Sequence, residues 1–305
     1  MLKFSKLNIK HDRNWYEKLY CSTSSPYADL RFGNCFIWFD LCNDLEYARY
    51  KNFVLLRYTS PFTKTKTHTL WGSGSIESLY LFLKKIYRFH PYMLFEEIPQ
   101  NIIDIIKDNK QFCINEERDG FEYILSVHEH VMLEGRKYSR QRNQIQFFKK
   151  NINSNIISTK VLKHLSESQK KEIYSNIQSW GMTVKSPHNN KNNVEQLAIK
   201  NTLKYFTKIN QNILIIYLNN QPISYVFFRN ICDNFVNVNH LKVDYSIKYI
   251  FDYSIHLLSR ELYKENIPYI NFEQDLGFQG LRRHKHLLRP VKIMKKYSFI
   301  FCVDG

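Results

Sequence analysis

A chain of 305 residues is about twice the length of a typical domain, and its 44% apolar content, with 22 Phe and 21 Tyr, supplies the core of one large domain or of two ordinary ones. That composition excludes a disordered chain, and only nine Gly and eight Pro exclude a linker-rich or collagen-like one. A formal net charge of +16 points to a polyanionic partner: RNA, an anionic membrane surface or a phosphate-bearing cofactor.

The first residues, Met1 to Asn14, are polar and mixed in charge, without the apolar stretch or cleavage site of a signal peptide. No run in the chain approaches the roughly 18 apolar residues of a membrane span, so the expected compartment is the cytoplasm. Six cysteines, Cys21, Cys35, Cys42, Cys113, Cys232 and Cys302, lie too far apart for a zinc-finger pattern and read as buried thiols. Asn52–Tyr58 reads as a strand, Ser75–Phe89 and Asn101–Lys110 as helices, and Phe121–Val127 as a strand, which makes a first mixed α and β domain over residues 1–130. In His128-Glu129-His130 two imidazoles at i and i+2 would share one face of a strand. Spacing offers no third ligand, and no metal is expected.

The second domain, residues 131–305, opens on a basic stretch. Gly135–Lys150 holds six Lys or Arg and no acid. As a helix, Tyr138–Lys150 puts Tyr138, Ile145 and Phe148 on one stripe flanked by Arg142 and Lys149, with Arg136 and Arg140 a turn apart on another side. Helices are expected at Gln169–Ser179 and Val194–Lys208, with a polar surface loop, Ser186–Asn193, between them. Asn212–Asn219 and Pro222–Asn230 read as a hairpin, Phe235–Val243 as a third strand, Tyr249–Asn266 as a helix and Tyr269–Phe272 as a short strand. A small helix at Gly280–His286 and a last strand at Val291–Phe301 complete the chain. Leu276–Lys296 holds seven cations and no acid, so two short segments carry most of the excess charge, as a phosphate-binding surface requires. His284 and His286 read as part of that basic helix. A three-stranded meander, one crossover helix and a final strand pair are the order of a GNAT (acyl-CoA N-acyltransferase-like) domain. The expected fold is therefore α+β, with mixed sheets and flanking helices.

Two segments carry a resemblance. Around Glu117–Lys150 stand Glu117, Asp119, Tyr123, Leu133, Gly135, Lys137, Arg142, Asn143, Phe148 and Lys149; around Tyr269–Val291 stand Glu273, Gln274, Asp275, Leu276, Gly277, Gly280, Leu281, Arg282, Lys285, Pro290 and Val291. In these positions the chain resembles the phosphatidylglycerol lysyltransferase C-terminal domain family, including its free-standing members. The resemblance implies tandem GNAT-like domains and an aminoacyltransferase that takes an amino acid from aminoacyl-tRNA, with no other cofactor, and passes it to a lipid, peptide or small-molecule acceptor. It departs from the family at Leu241, where an acidic residue of the central strand is expected; if that acid binds the substrate amine, its loss implies another amino acid or another reaction.

Transfer from an activated ester needs a group to take the acceptor's proton. Glu273 and Asp275 are the candidate catalytic carboxylates, two apart and so on one side of a strand, although Asp275 also fits as a helix cap or a partner of Arg282. Arg136, Lys137, Arg140, Arg142, Asn143, Arg282, Arg283 and Lys285 are the candidate phosphate contacts, and His240 and Tyr138 the candidate lining of an acceptor or aminoacyl pocket. The turn Asp244–Phe251, where a GNAT enzyme would cradle the pyrophosphate of acetyl-CoA, has no glycine and opens on an acid, which argues against acetyl-CoA. An acyl-CoA-dependent N-acyltransferase and a non-catalytic RNA- or anion-binding module are the alternatives.

Overall fold

The computed structural model describes residues 3–23, 26–152, 156–182, 189–232 and 234–302. The chain forms two compact units and passes between them four times. The first comprises Met1–Glu122, Gln274–Arg282 and Ile293–Gly305; the second comprises Tyr123–Glu273 and Arg283–Lys292.

The first unit begins with β1 (Ser5–Lys6), α1 (Arg13–Ser22) and α2 (Phe32–Trp38), followed by an antiparallel meander of β2 (Glu46–Tyr50), β3 (Phe53–Thr59) and β4 (Lys66–Gly72). Four consecutive buried residues, Phe53 to Leu56, mark β3 as covered on both faces. At the end of β4, Gly72 has φ +140°, and a Cβ there would lie 2.2 Å from the Asn52 carbonyl oxygen, so only glycine fits. Helix α3 (Ile76–Tyr87) starts where the Ser75 hydroxyl accepts from the Ser78 amide, and it buries Leu79, Phe82, Leu83 and Ile86. This stripe packs with Phe53, Leu55 and Leu70 of the meander and with Phe95 and Ile98 of β5 (Leu94–Pro99). After α4 (Gln100–Ile106) and β6 (Phe112–Glu116), a separate three-stranded sheet is completed by Lys296–Phe301, the last strand among the described residues, which pairs antiparallel with both β5 and β6.

The second unit is built on a larger sheet. The elements after β6 are β7 (Glu122–Ser126), α5 (Val127–Met132), α6 (Ser139–Asn151), β8 (Ile157–Leu162), α7 (Glu167–Met182), α8 (Asn189–Tyr205), β9 (Asn212–Leu218), β10 (Gln221–Cys232), β11 (Phe235–Val243), α9 (Ile250–Lys264), β12 (Tyr269–Gln274), α10 (Gln279–Leu287) and β13 (Lys292–Met294), of which Glu122, Gln274 and residues 279–282 and 293–294 fall in the first unit, so that Lys296–Phe301 is β14. The strand order is β13-β7-β12-β11-β10-β9-β8. Asn219 and Asn220 both have positive φ, as a tight two-residue hairpin turn requires, and this sets β9 against β10. One sheet face packs Ile213, Ile215, Tyr225 and Phe227 against Ile173, Ile177, Ile199 and Leu203 of α7 and α8. The crossover helix α9 returns the chain to β12, which runs parallel to β11. Meander, crossover helix and parallel strand are the GNAT order, and the first unit runs through meander, helix and strand in the same sequence. The fold is α+β and tandem GNAT-like.

Several elements differ from the sequence expectation. A single division at 130/131 would leave Gln274–Arg282 and Ile293–Gly305 with the second half, but their contacts lie in the first unit, because β14 completes the β5–β6 sheet. His128, Glu129 and His130 lie on helix α5, where i and i+2 point to different sides. Tyr138 precedes α6, in a short 3-10 turn. The expected last strand is two, β13 and β14. Of the expected loop Ser186–Asn193, Ser186 to His188 lie outside the described residues, and Asn189 to Asn193 are the start of α8. Among the described residues no disulfide forms; Cys35 is buried, whereas Cys21, Cys42 and Cys113 are exposed thiols.

Candidate functional site

In the second unit, β10 pairs Phe227 with His240 and then Phe228 with Val238, which leaves Asn239 as the extra residue of a β-bulge. Parallel pairing of β11 with β12 covers Phe235–Asn237 and Tyr269–Asn271. Just beyond it, side chains bridge the two strands: the Nδ2 groups of Asn237 and Asn239 donate to Glu273 Oε1 at 2.8 and 3.1 Å. The Glu273 amide donates to Asn271 Oδ1 at 2.8 Å. Glu273 has φ +55°, a left-handed conformation that costs a glutamate roughly 1–2 kcal/mol and persists where surrounding bonds hold it. The three asparagines are buried and Glu273 is half-buried. The result is a carboxylate aimed by amide donors at the end of a strand. Sequence reading singled out Glu273 but not Asn237 and Asn239, although two asparagines alternating with apolar residues in the first half of β11 were the available signal.

His240 is buried against α8. The Thr202 hydroxyl donates to the Ala198 carbonyl at 3.0 Å, so the His240 Nε2–H donates to Thr202 Oγ1 at 2.9 Å. Burial pushes its pKa down to about 3, and it stands edge-on to Phe227. It is a neutral core imidazole and not the lining of an open pocket. Its neighbour Lys242 pairs with Glu195 of α8 at 2.5 Å.

Asp275, one residue past β12, belongs to the first unit and is fully buried. Arg118 Nη1 donates to it at 3.0 Å, Arg282 Nε and Nη2 at 3.0 and 2.9 Å, and the Gly277 amide at 3.0 Å. Arg282 Nη2 also reaches Asp119 Oδ1 at 2.6 Å, and the Leu276 amide donates to the Asp119 carbonyl at 3.1 Å. Gly277, at φ +75°, leaves the room that Asp119 occupies: a Cβ would lie 2.5 Å from its Oδ2. The two sequence segments of the resemblance therefore meet in an ion-paired knot. Asp275 and Glu273 do not share a strand face, because the strand ends between them. With both oxygens bonded to guanidinium groups, Asp275 holds this knot together as a clamp.

The expected phosphate contacts divide. Arg136, Arg140, Asn143 and Arg283 are exposed in the second unit. Lys137 is exposed and bridges both oxygens of Glu129 at 2.9 Å. Arg142 Nη1 donates to the carbonyls of Leu133 and Gly135, tying down the bend before α6. Arg282 is held in the knot. Lys285 is buried, donating to the Phe272 carbonyl at 2.5 Å and lying over the Tyr123 ring, so it is a structural group and not a phosphate contact. Tyr138 is buried as well, its hydroxyl donating to Glu129 at 2.6 Å, and burial with that bond raises its pKa, so it lines no open pocket. His130 Nε2 bonds the Leu288 carbonyl at 2.9 Å, and burial pushes its pKa down to about 4.

A further assembly in the first unit had no sequence signal. Lys296 is fully buried, with its ammonium bonded to Asp29, 3.0 Å from Glu97 and 3.1 Å from Glu122. Burial raises the pKa of Asp29. For Lys296 burial acts downward, but the charges of Asp29, Glu97 and Glu122 outweigh it and raise the pKa.

A family model, "Phosphatidylglycerol lysyltransferase, C-terminal", matches residues 77–300. The chain belongs to this family. Solved structures share the fold at low identity. A conserved protein of unknown function from Bacteroides thetaiotaomicron superposes with a TM-score of 0.83 at 20% identity, covering 99% of this chain and 100% of its own. The L-PGS of Bacillus licheniformis gives 0.65 at 12% identity over 96% and 92% of the two chains. The C-terminal domain of a putative lysylphosphatidylglycerol synthetase from Agrobacterium fabrum gives 0.62 at 11% identity over the same shares. No curated protein matches the sequence. Among the described residues no helix of this family member is long and apolar enough to cross a membrane.

Proposed function

We propose that this family member is an aminoacyltransferase that takes an amino acid from aminoacyl-tRNA in the cytoplasm and joins it to an amine or hydroxyl acceptor. The observation that carries the reading is Glu273, a half-buried carboxylate fixed by Asn237 and Asn239 where β11 and β12 cease to pair. In the proposed step the acceptor N–H or O–H gives its proton to Glu273 while its lone pair attacks the ester carbonyl. The tetrahedral intermediate then collapses, the bond to the ribose oxygen breaks, and that oxygen leaves as the tRNA hydroxyl with a proton returned from Glu273. The exposed cations Arg136, Arg140, Arg283, Lys149 and Lys150 of the same unit supply contacts for the tRNA phosphates.

The turn before α9 supports aminoacyl-tRNA over acyl-CoA. Asp244 Oδ1 accepts from the Ser246 amide and hydroxyl at 2.9 and 2.7 Å, so a carboxylate takes the amide that a pyrophosphate would need and repels a second anion. Tyr249, at φ +67°, precedes the helix in place of a glycine.

The test is incubation of the protein with a pool of charged tRNAs and cell extract, followed by mass spectrometry of the products. One amino acid should leave its tRNA in a protein-dependent way and reappear on an acceptor. Release of CoA from an acyl-CoA, with every aminoacyl-tRNA intact, would replace this reading by the acyl-CoA one. Tight tRNA binding without any transfer would leave a binding module.

A further inference from the structure

We propose that the corner between α3 and β5 in the first unit is a docking surface for an anionic phospholipid bilayer. The surface shares no residue with the proposed transfer site. Helix α3 buries one stripe and turns another outward: Leu81, Lys84, Lys85 and Arg88, spaced three and four apart, are all exposed. The turn that follows, Phe89-His90-Pro91-Tyr92, is exposed throughout, and Leu94 continues it. Phe89 is 51% exposed, Tyr92 57%, Leu81 48% and Leu94 44%, an unusual concentration of large apolar groups in water.

The turn is held in shape. The amides of Phe89 and His90 both bond the Ile86 carbonyl at 3.0 Å, and Tyr92, at φ +57°, stands edge-on to Tyr87. Cations flank the apolar tip. Lys84 lies over the Tyr80 ring at 4.5 Å, and Lys85 and Lys51 lie over Tyr50 at 4.2 and 5.9 Å, so Lys51, Lys84, Lys85 and Arg88 contribute four charges. Ser78–Phe95 contains no acid.

This chemistry selects a bilayer. An apolar, partly aromatic turn gains by entering the headgroup and acyl boundary, where a tyrosine keeps its hydroxyl wet. Lysines and arginines on the flank, with long apolar stems, reach anionic headgroups while the tip inserts, each worth roughly fivefold in binding. A nucleic acid would want the charge at the centre of the contact and not around an aliphatic tip.

The experiment is co-sedimentation of the full chain with phosphatidylcholine vesicles, with and without 30 to 50% phosphatidylglycerol (a composition of roughly physiological anionic charge). Binding should require the anionic lipid and weaken with salt. Phe89→Ser with Tyr92→Ser should reduce it about tenfold or more, and Lys84→Glu with Lys85→Glu should abolish it, both at unchanged Tm. The proposal is overturned if phosphatidylglycerol vesicles do not bind, or if binding survives both pairs and is lost instead in Arg136→Glu with Arg140→Glu. It is equally overturned if the chain self-associates and Phe89→Ser with Tyr92→Ser yields monomers, since the face would then be a contact between copies.

Discussion

The two units bury polar groups in opposite ways. In the first, most of the interior polar groups are charges, among them Lys296 with Asp29, Glu97 and Glu122, and Asp275 between Arg118 and Arg282. In the second, they are largely neutral: Asn237, Asn239 and Asn271 beside Glu273, His240 on Thr202, and Ser254 on Ser224 at 2.8 Å. A buried charge survives only with its counter-charge in place, and the partners come from segments far apart in the chain, so such pairs act as clamps. An amide donor fixes a carboxylate's position without neutralising it. The first arrangement suits holding a fold together and the second suits chemistry.

The sharpest way to break this contrast is Lys296→Met. It removes the cation that lies within 4 Å of Asp29, Glu97 and Glu122 and should cost about 3–5 kcal/mol at pH 7. The sign with pH follows from the shifts. Burial raises Asp29, so its contribution to stability is complete below the ordinary carboxylate range and is lost as pH rises through the folded value. Lys296 is raised too, so its contribution holds below the ordinary lysine range and is lost only as pH climbs through its own folded value. Wild type therefore keeps the lysine term at neutral pH, while the variant keeps only the carboxyl penalty, which acid relieves. Denaturant unfolding at pH 7 and pH 5 should show the deficit of the variant shrinking in acid. A deficit that is equal at both values, or under about 1 kcal/mol, would show that the lysine is no clamp.

Glu273→Gln and Asp275→Asn test the contrast at two residues one position apart. The amide at 273 keeps size and an acceptor oxygen for Asn237 and Asn239 but loses basicity, so turnover should fall about 100-fold with Tm unchanged. At 275 the amide removes the carboxylate that two guanidinium groups share. Because Arg118 and Arg282 reach solvent and Arg282 retains Asp119, the cost should be about 2 kcal/mol of stability, with turnover per folded molecule preserved. Full activity in Glu273→Gln, or a rate collapse in Asp275→Asn at wild-type stability, would reverse the assignment.

What was legible in the sequence follows the range of the forces involved. The β9–β10–β11 meander, α9 and β12 were readable because their patterning is local: apolar runs in strands, an asparagine turn, and helical spacing from Ile250 to Leu258. Glu273 was readable by its place in a motif. The partners of Asp275 were only half so, since Arg282 is seven residues away and Arg118 is 157. Nothing local marks Lys296 as different from Lys295, yet Lys295, just before β14, sits at the surface on Glu116, and Lys296, the first residue of β14, at the centre of a buried cluster. Charge counts taken over a segment thus included two lysines, Lys285 and Lys296, that no phosphate reaches.

The smallest effects expected are on α6 and the bend before it, and they separate a cation that binds from one that builds. Arg140 is exposed on the first turn of the helix, whereas Arg142 bonds the carbonyls of Leu133 and Gly135. If Arg140 contacts a phosphate, Arg140→Ala should lower the slope of log affinity for tRNA against log salt by about one, while stability stays within about 0.5 kcal/mol of wild type. Arg142→Ala removes charge-assisted bonds to two carbonyls at the left-handed Leu133 and at Gly135, and should cost about 1–2 kcal/mol of stability. Its effect on the salt slope should be the weaker, because a guanidinium already donating to backbone has fewer N–H groups to offer a phosphate. Filter binding at four salt concentrations, run beside thermal unfolding, distinguishes the two. Equal slopes for Arg140→Ala and wild type would take Arg140 off the tRNA path, and a stable Arg142→Ala with a reduced slope would exchange the two roles and blur the line between the unit that clamps with charge and the unit that binds with it.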